Sequence, residues 1–287
     1  MASVAMHRGE LLQILLNACD PAAVHANKQV RHVEQRRDRV TAHFSDGTTA
    51  SADILVAADG LSSPVRRLLT GATPRYAGYS AYRSVLEDFD PGSEWPRHGI
   101  IRTLSCGEYF GLGEITPRRY LWFLTKNRPL NEPESGGRKT TVVQTVVSWG
   151  PPIRSVVEAT PEENILLHPV YKLRPLKVWR FGRIVLLGDA AHPIEPALGM
   201  GASLAIEDAV VLGQSLAETF NHGDAFRRYE QRRIPRVRKL VRWAAALARS
   251  EQMSNPLMCR MRDVSTRLTP ERTARLLARR AFDFTLP

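Results

Sequence analysis

The sequence predicts an α/β fold with an inserted, mainly antiparallel β region and a helical C-terminus. Three observations carry that expectation. Two strand–turn–helix units, at 53–67 and 182–209, open on short apolar runs that fit strands of a parallel sheet. Between them, residues 76–150 are rich in Tyr, Trp, Phe, Thr and Val and are cut by Pro/Gly loops such as Asn127–Gly137. Residues 224–281 read as helical, with breaks near Pro235, Pro256 and Pro270.

In chain order, residues 8–18 place Leu11, Leu12, Leu15 and Leu16 at helical spacing, an amphipathic helix stopped by Asp20-Pro21. A plain core helix is its simplest reading. Residues 30–45 alternate and run into Ser45-Asp46-Gly47-Thr48, and Asp-Gly between strand-like runs signals a hairpin. Asp53–Ala58 is a short buried strand ended by Asp59-Gly60. Ser62 or Ser63 can cap a helix with Pro64 in its first turn, and Gly71 can end it. Tyr109–Gly111, Tyr120–Leu124 and the β-branched run Thr140–Trp149 read as strands, and 151–168 as one short helix. Arg183–Leu187 is a second buried strand, followed by a Gly/Pro-rich turn at 188–201. A long helix over 202–220 follows, with Leu204, Ala205, Val211, Leu212 and Leu216 on its apolar face.

The 287 residues are 43% apolar and 24% charged, which excludes a disordered tail, a collagen-like rod and a disulfide-stapled mini-protein. The net charge of +11 is local. Residues 227–287 hold 16 Lys/Arg against 5 Asp/Glu, whereas 1–226 holds 24 of each sign. Basic residues fall on every side of the 227–249 helix without interleaved aromatics, so a solvated helical face outweighs nucleic-acid binding. Cys19, Cys106 and Cys259 lie far apart in sequence and show no metal-ligand spacing. No apolar run approaches the roughly 18 residues of a membrane span, and a cytoplasmic location is the default expectation.

The chemistry concentrates in two turns. A buried strand delivers Asp189 to the carboxyl edge of the sheet, where α/β ligands bind, and its carboxylate can accept hydrogen bonds from ribose or ribityl hydroxyls. Gly188 lets backbone approach a ligand closely. Gly199 and Gly201 flank a helix start, whose free N–H groups favour a group that gains negative charge, such as the N1–C2=O edge of a reduced flavin. Asp189 as a simple helix cap is the plainer alternative. In the first unit, Asp59 can equally cap the Pro64 helix and Arg66 can be solvated.

Taken together, these residues resemble the FAD-dependent aromatic hydroxylases, the group A flavoprotein monooxygenases, in the salicylate hydroxylase and zeaxanthin epoxidase-like branch. Asp59-Gly60 with Ser63, Val65 and Arg66 is similar to the family's DG motif, which contacts FAD and is implicated in NAD(P)H use. Gly188-Asp189 is similar to the GD motif, whose Asp holds the FAD ribityl or ribose. Pro193 and Gly199-Met200-Gly201 resemble the segment beside the isoalloxazine, and Arg8 with Leu11 or Leu12 the Arg-x-x-Leu near the FAD diphosphate. Tyr76–Arg83 resembles the entry to the substrate domain, making Tyr82 and Arg83 substrate-side candidates. No catalytic acid or base and no metal ligand is assigned.

The resemblance implies an FAD-binding three-layer Rossmann-like domain, with FAD-binding parts at 1–75 and 179–222, a substrate domain at 76–178 and a helical region at 223–287. It implies an FAD- and NAD(P)H-dependent monooxygenase that hydroxylates or epoxidises a small aromatic or polycyclic substrate with molecular oxygen, through a flavin C4a-hydroperoxide. Two departures stand out. The family's N-terminal G-x-G-x-x-G unit, which anchors the pyrophosphate, has no counterpart here, and Ser203 stands where many relatives carry Asn. The first departure leads us to expect an N-terminally truncated domain that does not hold FAD stoichiometrically on its own. The alternatives are a non-catalytic remnant and a binding protein that uses the basic tail.

Overall fold

The computed structural model describes residues 6–90, 100–270 and Phe284. In chain order it runs α1 (Arg8–Asn17), β1 (Val30–Gln35), β2 (Val40–Phe44), β3 (Thr49–Ala52), β4 (Leu55–Ala57), α2 (Pro64–Thr70), β5 (Arg75–Leu86), β6 (Ile100–Leu104), β7 (Glu108–Thr116) and β8 (Arg119–Asn127). It continues through α3 (Arg138–Val146), α4 (Pro151–Ala159), β9 (Leu166–Lys172), β10 (Arg180–Phe181), β11 (Ile184–Leu186), α5 (Gly201–Ala217), α6 (His222–Glu251) and α7 (Pro256–Leu268). The chain divides into two compact units. One comprises Met1–Cys19, Tyr76–Val170 and Arg249–Phe282; the other comprises Asp20–Arg75, Tyr171–Ala248 and Asp283–Pro287.

In the second of these units, β1, β2 and β3 form an antiparallel sheet, with Asp46-Gly47 at the β2–β3 turn. A second sheet has the order β10-β11-β4, with β11 and β4 parallel and Leu186 opposite Ala57. Ile184, Val185 and Leu186 are fully buried, as a strand covered on both faces requires. Ser63 caps α2 by accepting from Arg66 N at 2.9 Å, and left-handed Gly71 ends it.

The other unit is built on a five-stranded sheet in the order β6-β7-β8-β5-β9. One face carries Tyr82, Leu86, Phe110, Leu112, Trp122 and Leu124, which pack on α3 and α4 through Val142, Val146, Ile153, Val156 and Val157. Trp122 is completely buried, stacks on Phe110 at 5.9 Å and donates its indole N–H to Thr160 Oγ1 at 2.9 Å. Arg83, Phe123 and Gly111 line up across the opposite face. The tip of the Phe123 ring covers Gly111: a Cβ there would clash with Phe123 Cζ and Cε1.

Three sequence expectations change. Thr140–Trp149 is not a strand. Val142 and Val146 fall one helical turn apart and both bury against α4, while Glu162 accepts from the free amides of Arg138 and Lys139 at 2.8 Å. Helical burial and this capping outweigh a β preference that spans only about 1 kcal/mol per residue. Pro235 does not break α6, which runs through it. Buried Phe226, Tyr229, Arg233, Val237 and Leu240 hold the helix on both sides, against a proline cost of about 3 kcal/mol. Helix α1 is not a core helix: it buries no residue, and Leu12, Leu15 and Leu16 are exposed. Cys106 and Cys259, far apart in sequence, are neighbours in the fold. Burial first, and the hydrogen-bonded Cys106 thiol next, push Cys259 up. The helical reading of 271–281 lies outside the described residues.

Candidate active site

Parallel pairing of β4 and β11 brings the two chemistry-bearing turns side by side. Asp59 follows β4 and Asp189 follows β11, and Leu187 N donates to Ala57 O at 3.0 Å where the strands end. Adjacent strands lie about 4.8 Å apart, so both carboxylates emerge at the same carboxyl edge. Both aspartates are exposed. Asp59 Oδ2 accepts from Val65 N at 3.2 Å in the first turn of α2, so the capping reading and the ligand reading of this residue coexist.

Arg66 is not solvated. Its side chain is 1% exposed, and Nη1 donates to Asp189 O at 3.1 Å and to Ala190 O at 3.2 Å. Nη2 donates to Leu61 O. The guanidinium therefore ties the Asp59 loop to the Asp189 turn. Burial pulls its pKa down, and the charges of Asp59 and Asp189 oppose that; an arginine stays protonated regardless.

The Asp189 turn is a single 3₁₀ turn, Gly188–Ala190, with Gly188 at φ +59°. A Cβ at Gly188 would stand 3.0 Å from Ala205 Cβ, so glycine serves both the left-handed backbone and the close approach to α5. Pro193 follows, then a second 3₁₀ turn at Pro196–Leu198, left-handed Gly199, and buried Met200 as N-cap of α5. No side chain caps α5. Its first residue sits beside the aspartate: a Cβ at Gly201 would lie 4.0 Å from Asp189 Oδ1. Asp59, Gly60, Arg66, Gly188, Asp189, Pro193, Gly199, Met200 and Gly201 thus belong to one compact unit, along one sheet edge and the helix that follows it.

These residues fit an FAD. Two carboxylates at a strand edge suit ribose and ribityl hydroxyls, and the uncapped amides of α5 suit an acceptor that gains charge. A Cβ at Gly60 or Gly199 would meet no atom within 4 Å, so neither turn is closed by protein. Pro193 lines a cavity of about 590 Å³ with Arg75, Lys172, Arg174 and Glu195, and Asp59 lines one of about 540 Å³ with Lys28 and Ser62.

Arg8, Tyr82 and Arg83 belong to the other unit. Arg8 opens α1. Tyr82 is completely buried; its hydroxyl donates to Glu134 Oε1 at 2.7 Å and accepts from Arg128. Burial, then the hydrogen bond to Glu134, raise its pKa. Arg83 is exposed on the opposite face of the sheet, where Tyr79, Ala81, Tyr109 and Thr125 are buried; desolvation first and then the Arg8 charge pull its pKa down.

Sequence reasoning missed an ionic cluster behind the Asp189 turn. Asp208, on α5, is fully buried. Its Oδ2 accepts from Gly188 N at 3.1 Å and meets His192 Nε2 at 2.5 Å, and its Oδ1 accepts from Arg233 Nε at 2.6 Å. Burial pushes the Asp208 carboxyl up, but the His192 and Arg233 interactions outweigh it and the net shift is down. Trp179 packs on His192 at 4.8 Å. The signal was in the sequence: Asp208 falls one turn after Leu204 and one turn before Val211 and Leu212, on the apolar face of α5, where a charge needs a partner.

Residues 6–244 match the FAD binding domain family, and the chain belongs to it. Among named relatives, the 6-hydroxynicotinate 3-monooxygenase of Bordetella bronchiseptica is 33% identical over 248 residues, covering 83% of this chain and 64% of the relative. The aurachin C monooxygenase/isomerase of Stigmatella aurantiaca is 31% identical over 283 residues, covering 98% of this chain and 73% of the relative. The solved structure of Klebsiella pneumoniae HpxO complexed with FAD and uric acid superposes with a TM-score of 0.89 at 27% identity, covering 96% of this chain and 71% of that one. The chain spans under two thirds of the length of the first of these relatives. The fold is α/β with antiparallel sheet and a helical C-terminal part, as the sequence predicted. Among the described residues, no helix is long and apolar enough to cross a membrane.

Proposed function

We propose that this chain carries the FAD site of an FAD- and NAD(P)H-dependent monooxygenase that hydroxylates or epoxidises a small aromatic or polycyclic substrate with molecular oxygen. The observation that carries the reading is the paired Asp59 and Asp189 turns at one parallel-strand edge, in a chain of the FAD binding domain family. The names of the relatives, monooxygenases among them, support the reaction class. Asp189 accepts hydrogen bonds from ribityl or ribose hydroxyls, and Asp59 offers the carboxylate oxygen that does not cap α2. The first amides of α5 would donate to the flavin's pyrimidine edge, and Pro193, Gly199 and Met200 would help to hold the ring. FAD, when bound, supplies hydride acceptance and oxygen activation; the protein holds, orients and shields it. Arg8 is kept as the candidate for the diphosphate and Arg83 for the substrate side; Tyr82, fully buried with its hydroxyl bonded to Glu134 and Arg128, does not serve as a substrate contact.

The test begins with FAD titration of the purified chain, alone and with a Gly-rich βαβ unit supplied as a separate polypeptide. Either arm reaching one FAD per chain supports the reading; neither doing so overturns it. The loaded protein is then given NADH or NADPH under ¹⁸O₂ with a panel of hydroxylated aromatic acids. One labelled oxygen atom in the product is expected, and NAD(P)H oxidation without label for every substrate refutes the reaction class. Asp189→Ala removes charge-assisted bonds worth roughly 1.5–3 kcal/mol each, so at least a tenfold weaker FAD affinity is expected.

A further inference from the structure

We propose that Asp208 is a positioning residue for the Gly188–His192 turn: it sets Asp189 for its ligand from behind, without touching that ligand. The inference rests on the reading of Asp189 as a flavin-binding residue.

The geometry is specific. Asp208 is completely buried on α5, yet it is not spent on its own helix. One carboxylate oxygen accepts from Gly188 N at 3.1 Å, the residue immediately before Asp189. The same oxygen meets His192 Nε2 at 2.5 Å, three residues after Asp189. A single oxygen therefore holds both ends of the turn. The turn needs such a hold because Gly188 stands at φ +59°, and glycine pays more than any other residue to be fixed in one conformation.

The other oxygen is held in its turn. Arg233, fully buried on α6, donates from Nε to Asp208 Oδ1 at 2.6 Å and reaches Glu207 Oε2 at 2.6 Å. Trp179 packs on His192 at 4.8 Å and on Tyr229 at 5.5 Å, which fixes the imidazole plane. On the opposite side of the turn, Arg66 grips the carbonyls of Asp189 and Ala190. The turn is thus clamped by an anion on its N–H side and a cation on its C=O side. Asp189 itself stays exposed between the clamps. Held this way, a ligand-binding side chain loses little further freedom on binding, which raises affinity without an added contact. A buried carboxylate used only to strengthen packing would be a poor choice, since apolar residues of similar volume commonly serve as well or better.

The test compares Asp208→Asn with Val211→Ala. Both residues are fully buried on α5, but the Val211 side chain carries no polar atom with which to bond the turn. Three readouts are taken: thermal midpoint, amide hydrogen exchange at residues 188–192 without FAD, and FAD affinity by fluorescence titration. Both variants are expected to lower the midpoint. Only Asp208→Asn is expected to speed exchange across the turn and weaken FAD binding, each by roughly tenfold or more, since one lost buried charge-assisted bond is of that size. Equal exchange and equal affinity in the two variants at matched midpoints would overturn the proposal and leave Asp208 a packing residue. Asp189→Ala runs in parallel. If it binds FAD as the parent does, the flavin reading of Asp189 fails, while the exchange data still decide whether Asp208 sets the turn.

Discussion

Replacing Arg66 by Met separates a structural tie from a nucleotide contact. The methionine keeps most of the apolar stem and removes the guanidinium, which donates to Asp189 O at 3.1 Å, to Ala190 O at 3.2 Å and to Leu61 O. Hydrogen bonds from a charged donor contribute about 1.5–3 kcal/mol each. The three share one group, so they do not add, and relief of the buried charge returns part of the loss. A net destabilisation of about 3 kcal/mol is expected, a large share of the roughly 5–15 kcal/mol that holds a domain together. Urea unfolding without FAD measures it, with an unchanged denaturant slope showing that the unfolded state is the same. FAD affinity should fall as well, because Asp189 and Ala190 lose their anchor. The sequence suggested a different role, contact with NAD(P)H. A residue of that kind would leave stability alone and slow only flavin reduction. Unfolding free energies within about 0.5 kcal/mol of the parent would refute the tie, since that is the ordinary range for a surface change.

Two further outcomes concern the other unit. Gly111→Ala drives a Cβ into the tip of the Phe123 ring and should cost about 1–3 kcal/mol as an overpacked site. Phe123→Leu in the same chain should recover much of it, and a double-mutant cycle with no coupling would show that the ring is not the obstacle. Glu134 carries the pH dependence: burial raises its pKa, but hydrogen bonds from Arg128, Tyr82 and Thr141 outweigh this and hold it below its ordinary 4.5. A depressed carboxyl stabilises the fold above that value and loses its contribution as pH falls through the folded value. Stability should therefore drop on acidification below about pH 4.5, and Glu134→Gln should flatten that slope in chemical denaturation across pH.

Local signals of one kind were legible and those of another were not. The Asp46-Gly47 hairpin turn, the Ser63-Pro64 helix start, the Gly71 stop and the buried strand β11 follow from residues whose backbone preference is strong and local; β4 forms where expected but is only partly buried, with Val56 exposed. Thr140–Trp149 misled because β-branched residues favour strands only weakly, whereas the burial of Val142 and Val146 against α4 depends on a helix ten residues further on. Pro235 misled in the opposite sense. Its helix-breaking cost is real, but it falls in a 30-residue helix whose buried face repays it. At the candidate site, the exposed acids Asp59 and Asp189 were visible because each follows a strand in a short turn. The roles of Arg66, Asp208 and Arg233 were hidden, because each partner lies far off in sequence and only strand pairing and helix packing bring it close.

The same logic changes the meaning of the basic C-terminal segment. Its charge suggests a polyanion-binding face as long as every arginine counts as free. In the structure, Arg233 is fully buried against Asp208, and Arg236 pairs with Glu207 at 2.8 Å. Arg228 and Arg232 share Glu218 at 3.0 and 3.2 Å, and Arg227 pairs with Asp224 at 3.1 Å. Arg262 gives its guanidinium to the Ser105 and Ser250 carbonyls at 3.2 and 3.1 Å. The carboxylates that answer these arginines of α6, Glu207, Asp208, Glu218 and Asp224, lie just outside the basic segment, so counting charge by sequence interval divides pairs that the fold joins. A nucleic-acid surface needs cations free to displace counterions from phosphates. The six arginines named above are committed to carboxylates and carbonyls, and the most deeply buried of them, Arg233, stands behind the turn that presents Asp189.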